Sequence, residues 1–339
     1  MLKYKSVLLP TEKINFVYST DWHFSDRPPG RRRDNYKTAI LEKIHFIRSI
    51  AQQYEAVGLC GGDVFHLKNP KHPANSLSLV VDILHALRQF PLFTVFGSIG
   101  NHDLSFDRME SLSNQPLGLL IATGVYHDLN TEPVLFFNKD RSFSVLVETF
   151  PYENNGANTL KRILEAPVRP AEATYRIGIV HQYGAPGNRG DMWGTPIIGY
   201  NEVQNCDYDI LLWGHDHSRK ETVTVGNTTH VNLGSLARAA LPTDEDGHPV
   251  VATLLSFTKE GAYRPHEIPI PIRPLETVFA AADKGMDNVG NSEEVSDFFQ
   301  NMDTSIEKMD SVDPREVLKL LCSEDPETLN FTLELCNFS

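Results

Sequence analysis

Six histidines fall in five short groups in the first two-thirds of the chain, and four of these groups also contain aspartate or asparagine. Nearly every group follows an apolar run that is typical of a β-strand. Imidazole nitrogen combined with carboxylate or amide oxygen suits manganese, iron, zinc or cobalt rather than calcium. The groups are Asp21-Trp22-His23, Gly62-Asp63-Val64-Phe65-His66, Gly100-Asn101-His102-Asp103, His181 and Gly214-His215-Asp216-His217. Five such groups in one chain predict a metal centre, and the residue types fit a pair of divalent ions.

Parallel strands would bring these groups together. The apolar pattern predicts strands at 14–20, 56–60 and 92–99, with amphipathic helices at 34–54, capped by Asp34, and at 74–90. This alternation is that of βαβ units. Because the carboxyl ends of parallel strands meet at one edge of a sheet, where ligands bind, separate segments can meet at one site.

The second half of the chain has a different pattern, since its strand-like runs are short and closely spaced. They predict a second, more antiparallel sheet. The runs are 134–137, 142–150, 176–180, 210–213, 221–225, 230–233, 250–257 and 263–269. We therefore expect an α/β domain over 1–272, a linker over 273–290 and an acidic helical tail over 291–339.

Composition excludes fibrous and disordered chains, because 41% of the 339 residues are apolar. No signal peptide or membrane-spanning segment is predicted, which favours a cytoplasmic protein without membrane contact. The cysteines are widely separated, which argues against a disulfide framework and against a cysteine zinc site. They are Cys60, Cys206, Cys322 and Cys336.

Charge is distributed unevenly along the chain. Of the net charge of −13, residues 273–339 carry −10, from 5 basic and 15 acidic side chains, which leaves 26 basic and 29 acidic side chains in 1–272. A nearly neutral body must bind any polyanion through a local patch or with a partner. The tail also has apolar residues at helical spacing, which either pack on the protein itself or bind a partner. They are Val295, Phe298, Phe299, Met302, Ile306 and Met309.

These motifs in this order, over residues 14–270, resemble the calcineurin-like metallophosphoesterase superfamily. Within it, Gly-Asp-Val-Phe-His at 62–66, His181-Gln182 and the 232–238 run are most similar to the SbcD-type DNA repair nucleases. The resemblance implies a four-layer α/β/β/α sandwich of two mixed sheets flanked by helices. It also implies two divalent metal ions, with manganese as the first choice and magnesium, iron, zinc or cobalt as alternatives.

The same resemblance implies roles for individual residues. One metal would be held by Asp21, His23, Asp63 and His217, and the other by Asp63, Asn101, His181 and His215. His102 would face the scissile phosphate, Asp103 would orient His102, and His66 would help to position the substrate. Asp63 is the candidate for the carboxylate that bridges the two ions.

The resulting functional prediction is a two-metal phosphodiesterase that cleaves DNA as an exonuclease or endonuclease and is the nuclease subunit of a recombination or repair complex. Its implied partner is an SbcC-like coiled-coil ATPase. The sequence does not decide whether the chain also forms a homodimer. Because only residues 273–290 separate the last predicted strand from the predicted tail helix, we expect no full capping domain of the SbcD type. The alternatives are a phosphatase or phosphodiesterase for nucleotides or other small phosphate esters, and a scaffold protein. The loop with Arg27, Arg31, Arg32 and Arg33 either holds DNA phosphates or is simply solvated.

Overall fold

The computed structural model describes residues 3–92, 94–154, 156–187, 190–192, 195–239, 249–261 and 265–279. The acidic tail predicted at 291–339, with its apolar stripe, and most of the predicted linker lie outside the described residues. No helix in the described ranges is both long enough and apolar enough to cross a membrane.

The described residues form five α-helices and sixteen strands. The helices are α1 (Tyr36–Gln53), α2 (Leu77–Leu87), α3 (Pro116–Ala122), α4 (Gly156–Leu164) and α5 (Leu275–Val278). The first strands are β1 (Lys5–Leu8), β2 (Ile14–Ser19), β3 (Val57–Cys60), β4 (Val95–Gly97), β5 (Tyr126–Asp128), β6 (Val134–Phe137), β7 (Ser144–Phe150) and β8 (Tyr175–His181). The others are β9 (Gly184–Ala185), β10 (Gly190–Met192), β11 (Thr195–Gly199), β12 (Ile210–Gly214), β13 (Val223–Val225), β14 (Thr228–Asn232), β15 (Val251–Phe257) and β16 (His266–Pro269).

Two mixed sheets dominate the structure. The six-stranded sheet has the order β16-β15-β2-β3-β4-β5, and its strands from β2 to β5 are parallel. The seven-stranded sheet has the order β1-β6-β7-β8-β12-β14-β13. A small three-stranded sheet, β10-β11-β9, lies in the segment between β8 and β12. The α/β prediction is confirmed, with two mixed sheets flanked by helices.

Alternating side chains of β2 show how the layers pack. Phe16 and Tyr18 are buried between the two sheets, whereas Val17 on the opposite face packs in the cluster that contains α1, α2 and α3. On the far side, Leu211 and Trp213 pack with residues of α4. Each large apolar side chain buried in this way stabilises the fold by about 2 kcal/mol. The order of layers is helix, sheet, sheet, helix.

Two details differ from the sequence prediction. Helix α1 is capped by Asn35, whose side chain accepts a hydrogen bond from the Thr38 amide, and not by Asp34. The prediction of a more antiparallel second sheet is wrong, because β7, β8, β12 and β14 are parallel neighbours. The short runs suggested hairpins, but α4 and the 182–209 segment are crossover connections between parallel strands.

Candidate metal centre

The turns after three neighbouring parallel strands carry the first candidate residues. Asp21 and His23 follow β2, Asp63 and His66 follow β3, and a short 3₁₀ helix, Asn101–Asp103, follows β4. Because these strands are adjacent and parallel, their carboxyl ends lie side by side.

The seven-stranded sheet supplies the remaining residues. Strand β8 ends at His181, which is in register with Gly214 at the end of the neighbouring strand β12. His215 and His217 follow directly after Gly214. The two sheets therefore present their polar turns to the same place, as the sequence prediction requires.

The backbone at this place is unusual. Asp21, His23, Asp63 and His215 have φ angles of 53°, 48°, 51° and 77°, a left-handed region that non-glycine residues seldom occupy. Such conformations cost about 1–3 kcal/mol each and cluster at functional sites. Gly100 shows how tightly the turns pack, since a Cβ atom on it would lie 1.9 Å from Asp63 Oδ1.

One group of candidate ligands consists of Asp21, His23, Asp63 and His217, with ligand atoms within 4.8 Å of one another. The Nε2 atoms of His23 and His217 are 2.9 Å apart. His23 Nε2 lies 3.7 Å from Asp63 Oδ2, and His217 Nε2 lies 3.8 Å from Asp21 Oδ1. Imidazole nitrogens and carboxylate oxygens that converge in this way form a donor set that fits a divalent ion.

A second group shares Asp63 and adds His181 and His215. His181 Nε2 lies 3.4 Å from Asp63 Oδ2, while His181 Nδ1 lies 2.8 Å from the Gly61 carbonyl oxygen. A histidine that donates from Nδ1 to a backbone carbonyl keeps its Nε2 lone pair for a metal. Asn101 Oδ1 lies 3.1 Å from His215 Nδ1, which places the amide beside this group.

Burial and neighbouring charges set the protonation of these groups. Burial and the nearby His102 hold the pKa of His23 well below its ordinary value, and burial with His181 does the same for His215. These two rings are therefore neutral at pH 7, as metal ligands must be. For Asp63 burial acts to raise the pKa, but the attraction of His181 and His102 outweighs it and holds the pKa well below its ordinary value.

His181 behaves differently. Burial opposes its charge, yet the Asp63 and Asp21 carboxylates and the hydrogen bond to the Gly61 carbonyl together outweigh burial and raise the pKa of His181 to about 9. Without a cation, a proton on His181 therefore compensates the buried carboxylate. A metal ion would displace that proton, so metal binding at this group should release protons.

A third histidine group lies beside the first. The rings of His66 and His102 are stacked with centroids 5.8 Å apart, and the His23 ring lies 4.8 Å from that of His102. His102 Nδ1 lies 2.6 Å from the His66 carbonyl oxygen. His66 thus orients His102 through its backbone.

The contacts of Asp103 differ from the role that the resemblance implied. Its carboxylate accepts hydrogen bonds from the amides of Val64, Phe65 and Gly100. These bonds fix the turn that carries Asp63 and His66. Asp103 therefore supports the turn, while the hydrogen bond from His102 Nδ1 to the His66 carbonyl oxygen orients the His102 ring.

Several supporting residues were not identified as such from the sequence. Ser235 Oγ and the Ala237 amide donate to the Asp21 carbonyl oxygen, at 3.0 and 3.2 Å, and hold the Asp21 turn. The rings of Tyr183 and Tyr152 lie 4.3 and 5.1 Å from that of His215. The 232–238 run contributes to the family resemblance, and Tyr183 follows closely after His181, but no local sequence pattern indicates either contact.

The predicted arginine loop divides into two kinds of residue. Arg32 is buried and donates to the carboxylate of Asp34 and to the Ala237 carbonyl, and its guanidinium lies 4.6 Å from the Tyr36 ring centroid. These contacts stabilise the fold and do not support the prediction that Arg32 holds substrate. Arg27 and Arg33 are exposed, and Arg31 is half-buried.

The model of the calcineurin-like phosphoesterase family matches residues 14–219, well over half of the chain. The chain belongs to this family. This phosphoesterase is accordingly a metal-dependent enzyme, and its buried Asp and His groups are positioned to bind a metal cluster. A search of curated protein sequences finds no significant match.

Similar solved structures are distant from this phosphoesterase. A 5'-nucleotidase precursor from Thermus thermophilus is 13% identical with a TM-score of 0.43, over 76% of this chain and 54% of its own. The NAD nucleotidase of Haemophilus influenzae is 11% identical with a TM-score of 0.40, over 89% and 57%. A hypothetical protein from Thermus thermophilus is 13% identical with a TM-score of 0.39, over 76% and 100%. The phosphoesterase thus spans little more than half the length of the two nucleotidases.

Proposed function

We propose that this phosphoesterase hydrolyses phosphodiester bonds and that its substrate is DNA. The observation that carries the proposal is the pair of candidate ligand groups that share Asp63, with His66 and His102 stacked beside them. The ligands carry only two negative charges, from Asp21 and Asp63. Two divalent ions would therefore leave a net positive site, which attracts a phosphodiester anion.

Two bound divalent ions would supply Lewis-acid chemistry, activating water and neutralising charge on the phosphate. The chain's own residues do the remaining work. Because the His66 carbonyl oxygen lies 2.6 Å from His102 Nδ1, it fixes the orientation of the His102 ring, and Nε2 is the nitrogen proposed to act on the substrate. A protonated His102 would donate from Nε2 to the leaving oxygen. His66, stacked on this ring, would limit its rotation and help to position the phosphate.

DNA as the substrate is supported by the Gly-Asp-Val-Phe-His motif, whose His66 is part of the histidine cluster, and by the exposed Arg27 and Arg33 close after the Asp21 turn. Small phosphate esters are the second candidate. They are favoured by the nearly neutral body, whose 26 basic and 29 acidic side chains offer little attraction for a long polyanion.

The deciding experiment compares four substrates in the presence of manganese. Linear duplex DNA, single-stranded DNA, bis-p-nitrophenyl phosphate and p-nitrophenyl phosphate are incubated with the native protein and with Asp63→Ala as the metal-site control. We expect the native protein to cleave DNA and the diester, and we expect Asp63→Ala to cleave neither. Turnover of the monoester alone would overturn the proposal and favour the second candidate.

We further propose that residues 291–339 bind a coiled-coil ATPase partner of the SbcC type. The support is the apolar stripe at helical spacing within an acidic segment. Truncation after Gly290 tests this proposal. A soluble, active enzyme that no longer binds the ATPase is expected, whereas an insoluble product would show that the stripe packs on the protein itself.

A further inference from the structure

An open cavity of about 400 Å³, lined by both polar and apolar side chains, lies beside the candidate metal centre. Leu104, which follows Asp103 directly, lines one side, and Tyr152, whose ring contacts that of His215, lines another. The volume falls within the range of small-molecule sites. A group attached to a phosphate at the centre could therefore enter this cavity.

The charged residues of the cavity wall are already paired. Arg162 forms an ion pair with Glu153, and its guanidinium lies 5.6 Å from the Phe150 ring centroid. Asp107 lies 3.4 Å from Lys68 Nζ. Each pair is neutral as a whole, so the wall offers no uncompensated positive charge for a second phosphate among the described residues.

The neutral polar residues of the wall are available. Asn130, Asn154 and Asn158 line the cavity. No hydrogen bond between described residues engages their side-chain amides, although the Asn130 backbone amide donates to Asp128. Each amide offers two donors and one acceptor oxygen. Three such amides beside a tyrosine ring suit a neutral planar group with hydrogen-bonding edges.

From this combination we infer that the cavity is a nucleobase subsite, which binds the base of the nucleoside attached to the scissile phosphate. Asn130, Asn154 and Asn158 would bond the base edge, and the Tyr152 ring would provide an apolar surface. The inference rests on the proposed phosphodiesterase function, and it adds a reason why nucleotide esters would be preferred over simple diesters.

The test uses chromogenic diesters that share a p-nitrophenolate leaving group. Thymidine 5'-(p-nitrophenyl phosphate) and its 3' isomer carry a base, whereas methyl p-nitrophenyl phosphate carries none. The ratio of kcat/KM between the better thymidine ester and the methyl ester is measured with manganese. In the native protein this ratio should exceed about ten, since one or two good hydrogen bonds contribute about 1–2 kcal/mol.

Replacement of the amides should remove this preference. In the double variant Asn130→Ala/Asn158→Ala the ratio should fall about tenfold, mainly through a higher KM for the thymidine ester. Asn227→Ala is the matched control, because Asn227 is an exposed asparagine in the turn between β13 and β14 and does not line the cavity. It should leave the ratio unchanged.

The outcomes separate this inference from the proposed function. If the native protein hydrolyses both kinds of ester with equal kcat/KM, or if the double variant keeps the native ratio, the nucleobase subsite is wrong while the phosphodiesterase proposal stands. If none of these diesters is hydrolysed, the proposed function fails and the subsite fails with it.

A second arm identifies the source of the base. Duplex DNA ending in an intact nucleotide is compared with duplex DNA ending in an abasic one. If the base belongs to DNA, the native protein should cleave the abasic end more slowly than the intact end. The double variant should cleave both ends at the same rate. Equal cleavage of both ends by the native protein, with the thymidine preference retained, would assign the subsite to free nucleotides.

Discussion

Two buried polar regions adjoin the Asp21 turn, and they are built on opposite principles. Around Arg32, donors meet acceptors: Nε and one terminal nitrogen donate to Asp34, and the other donates to the Ala237 carbonyl at 2.6 Å. In the candidate metal centre, like atoms face each other. The Nε2 atoms of His23 and His217 approach to 2.9 Å.

The difference shows how a structural cluster can be told from a binding cluster. Burial of charge is tolerated when every donor finds an acceptor, and the Arg32 network meets this condition. In the histidine cluster, by contrast, imidazole nitrogens and the Asp21 and Asp63 carboxylates converge as a donor set that a shared cation would satisfy. Both regions are connected, because the Ala237 carbonyl accepts from Arg32 while the Ala237 amide donates to Asp21.

The largest effect is expected from Asp63→Ala. Because Asp63 belongs to both ligand groups, its loss should remove both metal ions and abolish hydrolysis. The fall in activity should exceed the ~10⁴-fold that marks the upper range for removing a general acid. Metal content by atomic emission and turnover of bis-p-nitrophenyl phosphate measure the two effects. Retention of two ions would contradict the bridging role.

His102→Ala separates chemistry from metal binding. His102 lies in the third histidine group and not in the two groups that share Asp63. We expect activity to fall by about 10²–10⁴ while metal content stays at the native value. Metal analysis and a kcat measurement on the same preparation test this. Native turnover would remove the role of His102, and loss of metal would make it a ligand.

Arg32→Met should remove the buried hydrogen-bond network around Arg32. The variant leaves the Asp34 carboxylate and the Ala237 carbonyl without their buried partner, which should cost about 4 kcal/mol in the free energy of unfolding. Urea unfolding of the metal-free protein measures this. Exposed Arg33 provides the control, and Arg33→Met should change stability by less than about 0.5 kcal/mol. Equal effects of the two variants would show that the matched contacts of Arg32 contribute nothing.

His230 is a third kind of buried polar group, an imidazole without a carboxylate partner among the described residues. Its Nδ1 accepts from Trp213 Nε1, and burial lowers its pKa from 6.5 to about 4. Between these values the unfolded chain binds the proton and the folded chain does not, so stability is lost as the pH falls from 6.5 to 4. The loss should approach about 3 kcal/mol at about pH 4.

Replacement by a side chain that does not titrate tests this effect. In His230→Phe, the slope of unfolding free energy against pH should flatten over this interval, as measured by urea unfolding at several pH values. An unchanged slope would assign the acid sensitivity to other groups.

The smallest effect concerns the exposed arginines. If Arg33 contacts a DNA phosphate, Arg33→Met should weaken DNA binding several-fold and lower the slope of log affinity against log salt by about one. Arg88→Met, another exposed arginine, is the control at the end of α2. An equal effect of both variants would indicate only a change in overall charge.

The local parts of the fold were predictable from the sequence. The strands before Asp21 and Asp63 are short apolar runs, and helix α1 has clear amphipathic spacing, so the βαβ core and the turns that carry candidate ligands could be located. The placement of these turns at adjacent strand ends follows from parallel pairing alone.

What the sequence could not show depends on distant contacts. Leu254 of β15 pairs with Val17 of β2, and the Arg32 guanidinium is bonded to a carbonyl 205 residues away. No local pattern encodes either contact. For the same reason the sequence does not distinguish Arg32 from Arg27, Arg31 and Arg33, since one of its acceptors, the Ala237 carbonyl, lies in another part of the chain.

The central claim is that the Asp and His turns of both sheets surround two metal ions. Anomalous diffraction from crystals grown with manganese tests it most directly. We expect two peaks, one contacted by Asp21, His23, Asp63 and His217, and the other by Asp63, Asn101, His181 and His215. The absence of both peaks at saturating manganese, or peaks that Asp63 does not contact, would contradict the account.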